Sequence, residues 1–226
     1  MIPLKELWKE LKFVSDLSAL KPEDERILLP VLEEESSRRK IRRVRRLLGR
    51  SGIKRVKLLE DFDWKINPKL PREDFLSFAK SPWTGKAMNL VLIGPAGVGK
   101  THLAAGLCYK AIQEGQSAMF ISSYDLVLKL KKRSSSKGAL IGFYSSVKVF
   151  CLDELGYLSA SSEEANDIFQ IISKRSEIGS TIVTTNLIPS QWGKIFEAAT
   201  ATAILDRLNM NGLFLTLEGK SYRSKV

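Results

Sequence analysis

The sequence predicts an α/β chain: a parallel five-stranded sheet flanked by helices, preceded by a small helical N-terminal region. Two observations carry this. From residue 88 onward, short apolar runs alternate with helix-period segments, as strands joined by crossover helices do. The first of those runs breaks into a glycine-rich turn and then into a helix pattern.

Taken in order, residues 1–36 place Leu4, Leu7, Leu11 and Val14 at helical spacing, and residues 25–35 form a second helix after Pro22. Residues 37–50 continue as a basic helix that ends near Gly49 or Gly52. Ile41, Val44, Leu47 and Leu48 give it a narrow apolar face, and arginines fill the other sides. We divide the chain into a helical N-terminal region (1–57), a linker (58–87) and a nucleotide-binding domain (88–226). The linker is rich in proline and aromatics, including Phe62, Trp64, Pro68, Pro71 and Trp83, with a turn over 80–86. Predicted strands are 89–93, 118–121, 147–152, 181–185 and 213–217. Predicted helices are 101–114, 123–133, 163–176 and 202–209. Residues 134–138 read as a flexible or turn segment.

Net charge is +11. Eleven bases and no acid lie between Arg38 and Lys57; without them, 25 bases face 25 acids. Such a window points to a polyanionic partner. Cys108 and Cys151 each sit in an apolar pattern and read as buried thiols in a reducing compartment. With His102 the only histidine and no metal-type cysteine spacing, a zinc site is not expected. Lys5, Glu6, Lys9 and Glu10 interrupt any apolar opening, and no run approaches the ~20 apolar residues of a transmembrane helix. The expectation is a soluble, cytoplasmic protein.

The chemistry starts at Gly94-Pro-Ala-Gly97-Val-Gly99-Lys100-Thr101-His102, the pattern G-x-x-x-x-G-K-T between a strand and a helix. Gly94, Gly97 and Gly99 free the backbone so that its N–H groups can converge on phosphate oxygens. The following helix aims its positive end at the same place. Pro95, Ala96 and Val98 complete the loop, Lys100 reaches the β- and γ-phosphates of ATP, and the Thr101 hydroxyl can ligate Mg²⁺. The strand over 147–152 runs into Asp153-Glu154. In a parallel sheet that end lies beside the phosphate loop. Asp153 then holds Mg²⁺, and Glu154 activates the attacking water as general base. Asn186, after the next strand, is placed to orient that water; a turn-starting asparagine is its other reading. Arg207 and Arg223 are candidates for stabilising transition-state charge, and from the residues alone each is equally a surface arginine.

These motifs resemble those of the AAA+ initiator-type ATPases, and more closely the IstB-type transposition helpers and the related DnaC-type helicase loaders. The resemblance rests on residues 94–101 followed by His102-Leu-Ala, on Leu152-Asp-Glu-Leu-Gly-Tyr-Leu158, Thr184-Thr-Asn186, Leu205-Asp-Arg-Leu208 and Gly219-Lys-Ser-Tyr-Arg223, and on the upstream Leu59-Glu-Asp-Phe-Asp63. It covers roughly residues 57–223. It implies a P-loop NTPase fold of the AAA+ type with a reduced or absent lid. It also implies a ring or spiral homo-oligomer with nucleotide between subunits, Arg207 acting on the neighbour's ATP and Arg223 on its own. Residues 123–146 would match the extra helical element that such ATPases turn toward DNA.

The expected function is an ATP-dependent, Mg²⁺-dependent ATPase that assembles on duplex DNA and assists an IstA-type transposase. DNA contacts are expected from Arg38, Arg39, Lys40, Arg42, Arg43, Arg45 and Arg46, and from Lys129, Lys131, Lys132, Arg133 and Lys137. They would be phosphate contacts, largely independent of sequence. The alternative is a loader for a replicative helicase. A nucleotide-dependent scaffold without hydrolysis is a third reading, against which Glu154 argues.

Overall fold

The computed structural model describes residues 3–17, 20–80, 87–157, 160–219 and 221–222. The chain divides into two compact units, Met1–Arg46 and Leu47–Val226.

The first unit is built from α1 (Leu4–Glu10) and most of α2 (Pro22–Arg50). Leu4, Leu7 and Leu11 bury one stripe of α1 and its exit against Leu32 of α2. Where two helices were expected over 25–50, α2 is a single helix of 29 residues. Pro30 removes one backbone N–H without ending it. Pairs four residues apart, Glu34–Arg38 and Glu35–Arg39, both at 2.6 Å, support the helix across 34–39. Arg39 also donates to the Leu11 carbonyl at 3.0 Å, and Lys40 meets Glu10 at 3.2 Å. Arg42, Arg43, Arg45 and Arg46 are exposed and form no ion pair among the described residues.

The second unit carries the sheet. β1 (Asn89–Ile93), β2 (Ala118–Ser122), β3 (Val149–Leu155), β4 (Ser180–Thr185) and β5 (Gly212–Thr216) are all parallel, in the order β2-β3-β4-β1-β5. Every residue of β1 and β4 is buried, as strands covered on both faces require. The covering helices are α4 (Lys100–Gln113), α5 (Ser123–Lys132), α6 (Lys137–Ser146), α7 (Ser162–Arg175) and α8 (Ala198–Asn209). One core joins Val91, Phe150, Leu152 and Val183 of the sheet to Leu126, Ile141, Ile168 and Ile204 of α5–α8.

Two helices were not read from residue periodicity, although the second falls within the 123–146 helical element that the resemblance implies. α3 (Arg72–Lys80) lies inside the linker; Phe75, Phe78 and Ala79 form its buried stripe. Trp64 packs edge-on to Phe75 at 5.6 Å, with the Arg72 guanidinium over its ring at 5.1 Å. α6 begins within the segment read as flexible. Its C-terminal carbonyls, Tyr144 and Ser145, accept from the fully buried guanidinium of Arg175, which also reaches the Val147, Lys148 and Ser180 carbonyls and Thr181 Oγ1. Burial lowers the Arg175 pKa to about 9. The acidic strand end also differs from expectation: β3 continues through Asp153 and Glu154 to Leu155. Most of the turn expected over 80–86 lies outside the described residues. Among the described residues, no helix is long and apolar enough to cross a membrane.

Candidate functional site

A cavity of about 960 Å³ opens at the carboxyl ends of the strands, where parallel sheets carry their ligands. Its wall includes Gly97, Val98, Gly99, Lys100, Thr101 and His102 from the loop after β1, and Glu154 from β3. Gly97 and Gly99 have φ of +83° and +101°, a backbone region that side chains disfavour. A Cβ at Gly97 would collide with Ser221, and one at Gly99 with the Phe62 ring. Gly99 caps α4 and, having no side chain, offers the first N–H groups of that helix no capping acceptor of its own. Lys100 is 8 % exposed and donates to the Gly94 and Pro95 carbonyls, each at 2.7 Å.

Beside the loop lies the acidic pair. Strand order places β4 between β1 and β3, so the end of β4 separates phosphate loop and carboxylates. Across β3 and β4, Leu152 is level with Val183 and Leu155 with Thr185. Asp153 and Glu154 therefore oppose the single residue Thr184, the arrangement of a β-bulge. Glu154 takes φ +60°, a left-handed conformation that costs a non-glycine residue on the order of 1–3 kcal/mol. Asp153 is 5 % exposed, and its Oδ1 accepts from Thr184 Oγ1 at 2.5 Å and Thr101 Oγ1 at 3.2 Å. Burial raises its pKa, as does the neighbouring Glu154 charge; the Thr184 and Thr101 hydroxyls and the Lys100 ammonium act in the opposite direction.

Thr101 and Asp153 thus converge on one point next to the loop. Among the described residues no group of three or more histidine, cysteine or acidic side chains could hold a metal. Two oxygens at the phosphate loop fit Mg²⁺, a cation that takes one or two protein ligands and completes its shell with phosphate and water.

The remaining expected residues fall in different places. His102 lines the cavity, with Nε2 2.7 Å from the Leu58 carbonyl oxygen and its ring edge-on to Phe62 at 5.6 Å. Asn186 is exposed beyond β4, with its Oδ1 against Gly156. Arg207 on α8 is not part of the cavity wall; its guanidinium meets Asp206 at 3.5 Å and Met210 Sδ at 3.6 Å. Arg223 lies outside the described residues. Of the second basic cluster, Lys129 lines the cavity, and Lys132 and Arg133 are exposed. Lys131 pairs with Glu164 at 2.5 Å; Lys137 pairs with Glu163 at 2.6 Å and Asp167 at 2.9 Å, both joining the α5–α6 segment to α7.

Sequence reasoning gave no role to Thr184 and Ser123, which hold the bulge, or to Tyr222, which lines the cavity and donates its N–H to the Gly97 carbonyl at 2.9 Å. A hydroxyl residue in a strand buried along its whole length was the available signal for Thr184, but Ser180, Thr181 and Thr185 of the same strand share it. Phe62 was read as a linker aromatic and as part of the 59–63 motif, without a place at the site. Its segment supplies Asp61, Phe62, Asp63 and Ile66 to the cavity, and Asn67 Nδ2 donates to the Val98 carbonyl at 2.7 Å.

A parallel sheet with a phosphate loop after β1 and an acidic pair two strands away defines a P-loop ATPase fold of the AAA+ class. Solved structures agree in fold: DnaI at 23 % identity and TM-score 0.61, covering 72 % of this chain and 91 % of that one, and AMPPCP-bound DnaA from Aquifex aeolicus at 17 % and 0.63, covering 76 % and 54 %. The chain belongs to the family of IstB-like ATP binding proteins, whose profile matches residues 14–226. A relative named as the ATP-binding protein of insertion sequence IS21 in Pseudomonas aeruginosa is 35 % identical over 201 residues, 88 % of this chain and 76 % of its own.

Proposed function

We propose that the protein binds ATP with Mg²⁺ in this cavity, hydrolyses it, and uses the nucleotide state to assemble on duplex DNA in support of a transposase. The observation that carries the chemistry is the convergence of Thr101 and Asp153 beside the phosphate loop, with Glu154 on the same cavity wall.

The loop N–H groups hold phosphate oxygens, and Lys100 turns from its loop carbonyls to the β- and γ-phosphates. Thr101 and Asp153 would hold Mg²⁺, which when bound offsets phosphate charge. Glu154 accepts a proton from water as its oxygen bonds to the γ-phosphorus. The bond to the β–γ bridging oxygen breaks, leaving ADP and phosphate. Asn186 orients the water. Arg207, remote from its own cavity, acts on the ATP of a neighbouring copy, and Arg223 acts on its own. The exposed arginines of α2, with Lys132 and Arg133, contact DNA phosphates.

The insertion-sequence relative supports a transposase as partner. Light scattering with duplex DNA, ATP or ADP tests the assembly. A large complex with ATP and duplex, lost in Arg207→Ala, is expected. Assembly only on single strands or with a helicase would replace this reading with that of a helicase loader. In the same buffer, Glu154→Gln should keep nucleotide binding and lose about 100-fold or more in hydrolysis. Equal rates for the two proteins would remove Glu154 from its role.

A further inference from the structure

The bulge that carries both carboxylates has weak local support: from its own turn, the Glu154 carbonyl accepts the Tyr157 N–H at 3.5 Å. Its extra residue breaks the ladder between β3 and β4, so the Glu154 peptide groups must find partners elsewhere. Both find hydroxyls. The Glu154 N–H donates to Thr184 Oγ1 at 2.9 Å, and the Glu154 carbonyl accepts from Ser123 Oγ at 2.9 Å. Thr184 in turn donates a hydrogen bond from its own hydroxyl to Asp153 Oδ1 at 2.5 Å. One hydroxyl thus serves both acidic residues, through the backbone of one and the side chain of the other.

Burial shows that these contacts are built in. Thr184 has no exposed surface and Ser123 only 4 %. The two hydroxyls come from different elements, Thr184 from β4 and Ser123 from the first turn of α5, and grip the Glu154 residue from opposite ends. Without them a glutamate at φ +60° has little reason to stay there, since glycine is the residue that such a bulge favours. The left-handed turn also sets where the Glu154 side chain leaves the strand.

We propose that Thr184 and Ser123 are positioning residues for hydrolysis, which lock the Asp153–Glu154 bulge so that one carboxylate meets Thr101 and the other faces the cavity. This rests on the reading that the two carboxylates serve ATP hydrolysis. Neither hydroxyl need touch nucleotide. Loss of either should therefore lower kcat and leave the KM for ATP nearly unchanged, because the phosphate loop is untouched.

The test compares Thr184→Val, Thr184→Ser and Ser123→Ala in the full chain with duplex DNA present. Valine keeps shape and strand preference while removing the hydroxyl. Expected for Thr184→Val is a kcat lower by about 10- to 100-fold with KM within about 3-fold, and for Ser123→Ala a smaller fall in kcat alone. Thr184→Ser should return kcat to within about 3-fold of wild type. A readout independent of turnover is amide exchange at Glu154: about 10-fold faster in Thr184→Val, and at the wild-type rate in Thr184→Ser. Wild-type kcat in Thr184→Val, or an unchanged Glu154 amide there, overturns the proposal; so does a serine variant as slow as valine. If Thr184→Val does not fold, Ser123→Ala decides: a lowered kcat at constant KM supports the clamp, and wild-type kcat overturns it. If wild type and Glu154→Gln hydrolyse alike, the hydrolytic reading fails by itself, while amide exchange still judges whether Thr184 holds the bulge.

Discussion

At the cavity, Asp153 is 5 % exposed and takes two hydroxyls within 3.2 Å, and Lys100 is 8 % exposed with two carbonyls at 2.7 Å. On α2, Arg42, Arg43, Arg45 and Arg46 stand in solvent with no ion pair among the described residues. The first arrangement fixes charge by geometry before any ligand arrives, where low dielectric strengthens each interaction. The second offers loose charge whose effect reaches about 8–10 Å and fades with salt. The difference teaches where each part of the chain should be sensitive: the cavity to single atoms, the helix to total charge and ionic strength.

The largest expected effect breaks the cavity side. Lys100→Ala should abolish hydrolysis and weaken nucleotide binding by about 100-fold or more, read with a fluorescent ATP analogue. Added salt should change the wild-type nucleotide affinity far less than the duplex affinity. Neutralising Arg42, Arg43, Arg45 and Arg46 together tests the other side. Duplex binding should fall by about 10- to 1000-fold, with a flatter plot of log affinity against log salt, while DNA-free nucleotide affinity stays at wild type. A nucleotide affinity that falls in parallel would erase the contrast.

Smaller effects sharpen it. Arg175→Met strips a buried cation from its carbonyl partners and should cost about 2–4 kcal/mol, read as a lowered Tm. The smallest concerns the ion pairs that tie α7 to α5 and α6. Lys137 hydrogen-bonds and attracts Glu163, and Lys131 does so for Glu164, which lowers both carboxyl pKa values. A folded pKa below the unfolded one stabilises the protein above the ordinary glutamate value of about 4.3, and that stability is lost as pH falls through the lowered value. Glu164→Gln should flatten the acid limb of Tm against pH, and glutamine can still close the capping box with Ser161.

The parts that could be read in the sequence were those written in local pattern. The five strand runs, the Gly94 to Thr101 loop and the pairing of that loop with Asp153 depend on neighbours in sequence or on the geometry of any parallel sheet. α6 was not legible in the local pattern, and only the resemblance implied helix there: Gly138 and Gly142 weaken it, and its end is held by Arg175, some 30 residues away. α2 was read in two pieces, 25–35 and 37–50, because the composition turns basic there, whereas the Glu34–Arg38 and Glu35–Arg39 pairs span that junction and the helix runs on. The bulge was invisible for a related reason. Glutamate has no preference for φ +60°, and the hydroxyls that hold it there lie 30 and 31 positions away. What tertiary partners impose, a local pattern does not announce.

Arg175 has a consequence for the order in which the protein forms. Its acceptors come from three separate places: the end of α6, the run into β3 and the start of β4. A partly folded chain that buries this side chain before all three have arrived must strand a charge in apolar surroundings. Such half-built states are penalised, so α6, α7 and the starts of β3 and β4 should gain their amide-exchange protection together and lose it together. One cation that never reaches the nucleotide would then make this side of the fold assemble as a single step.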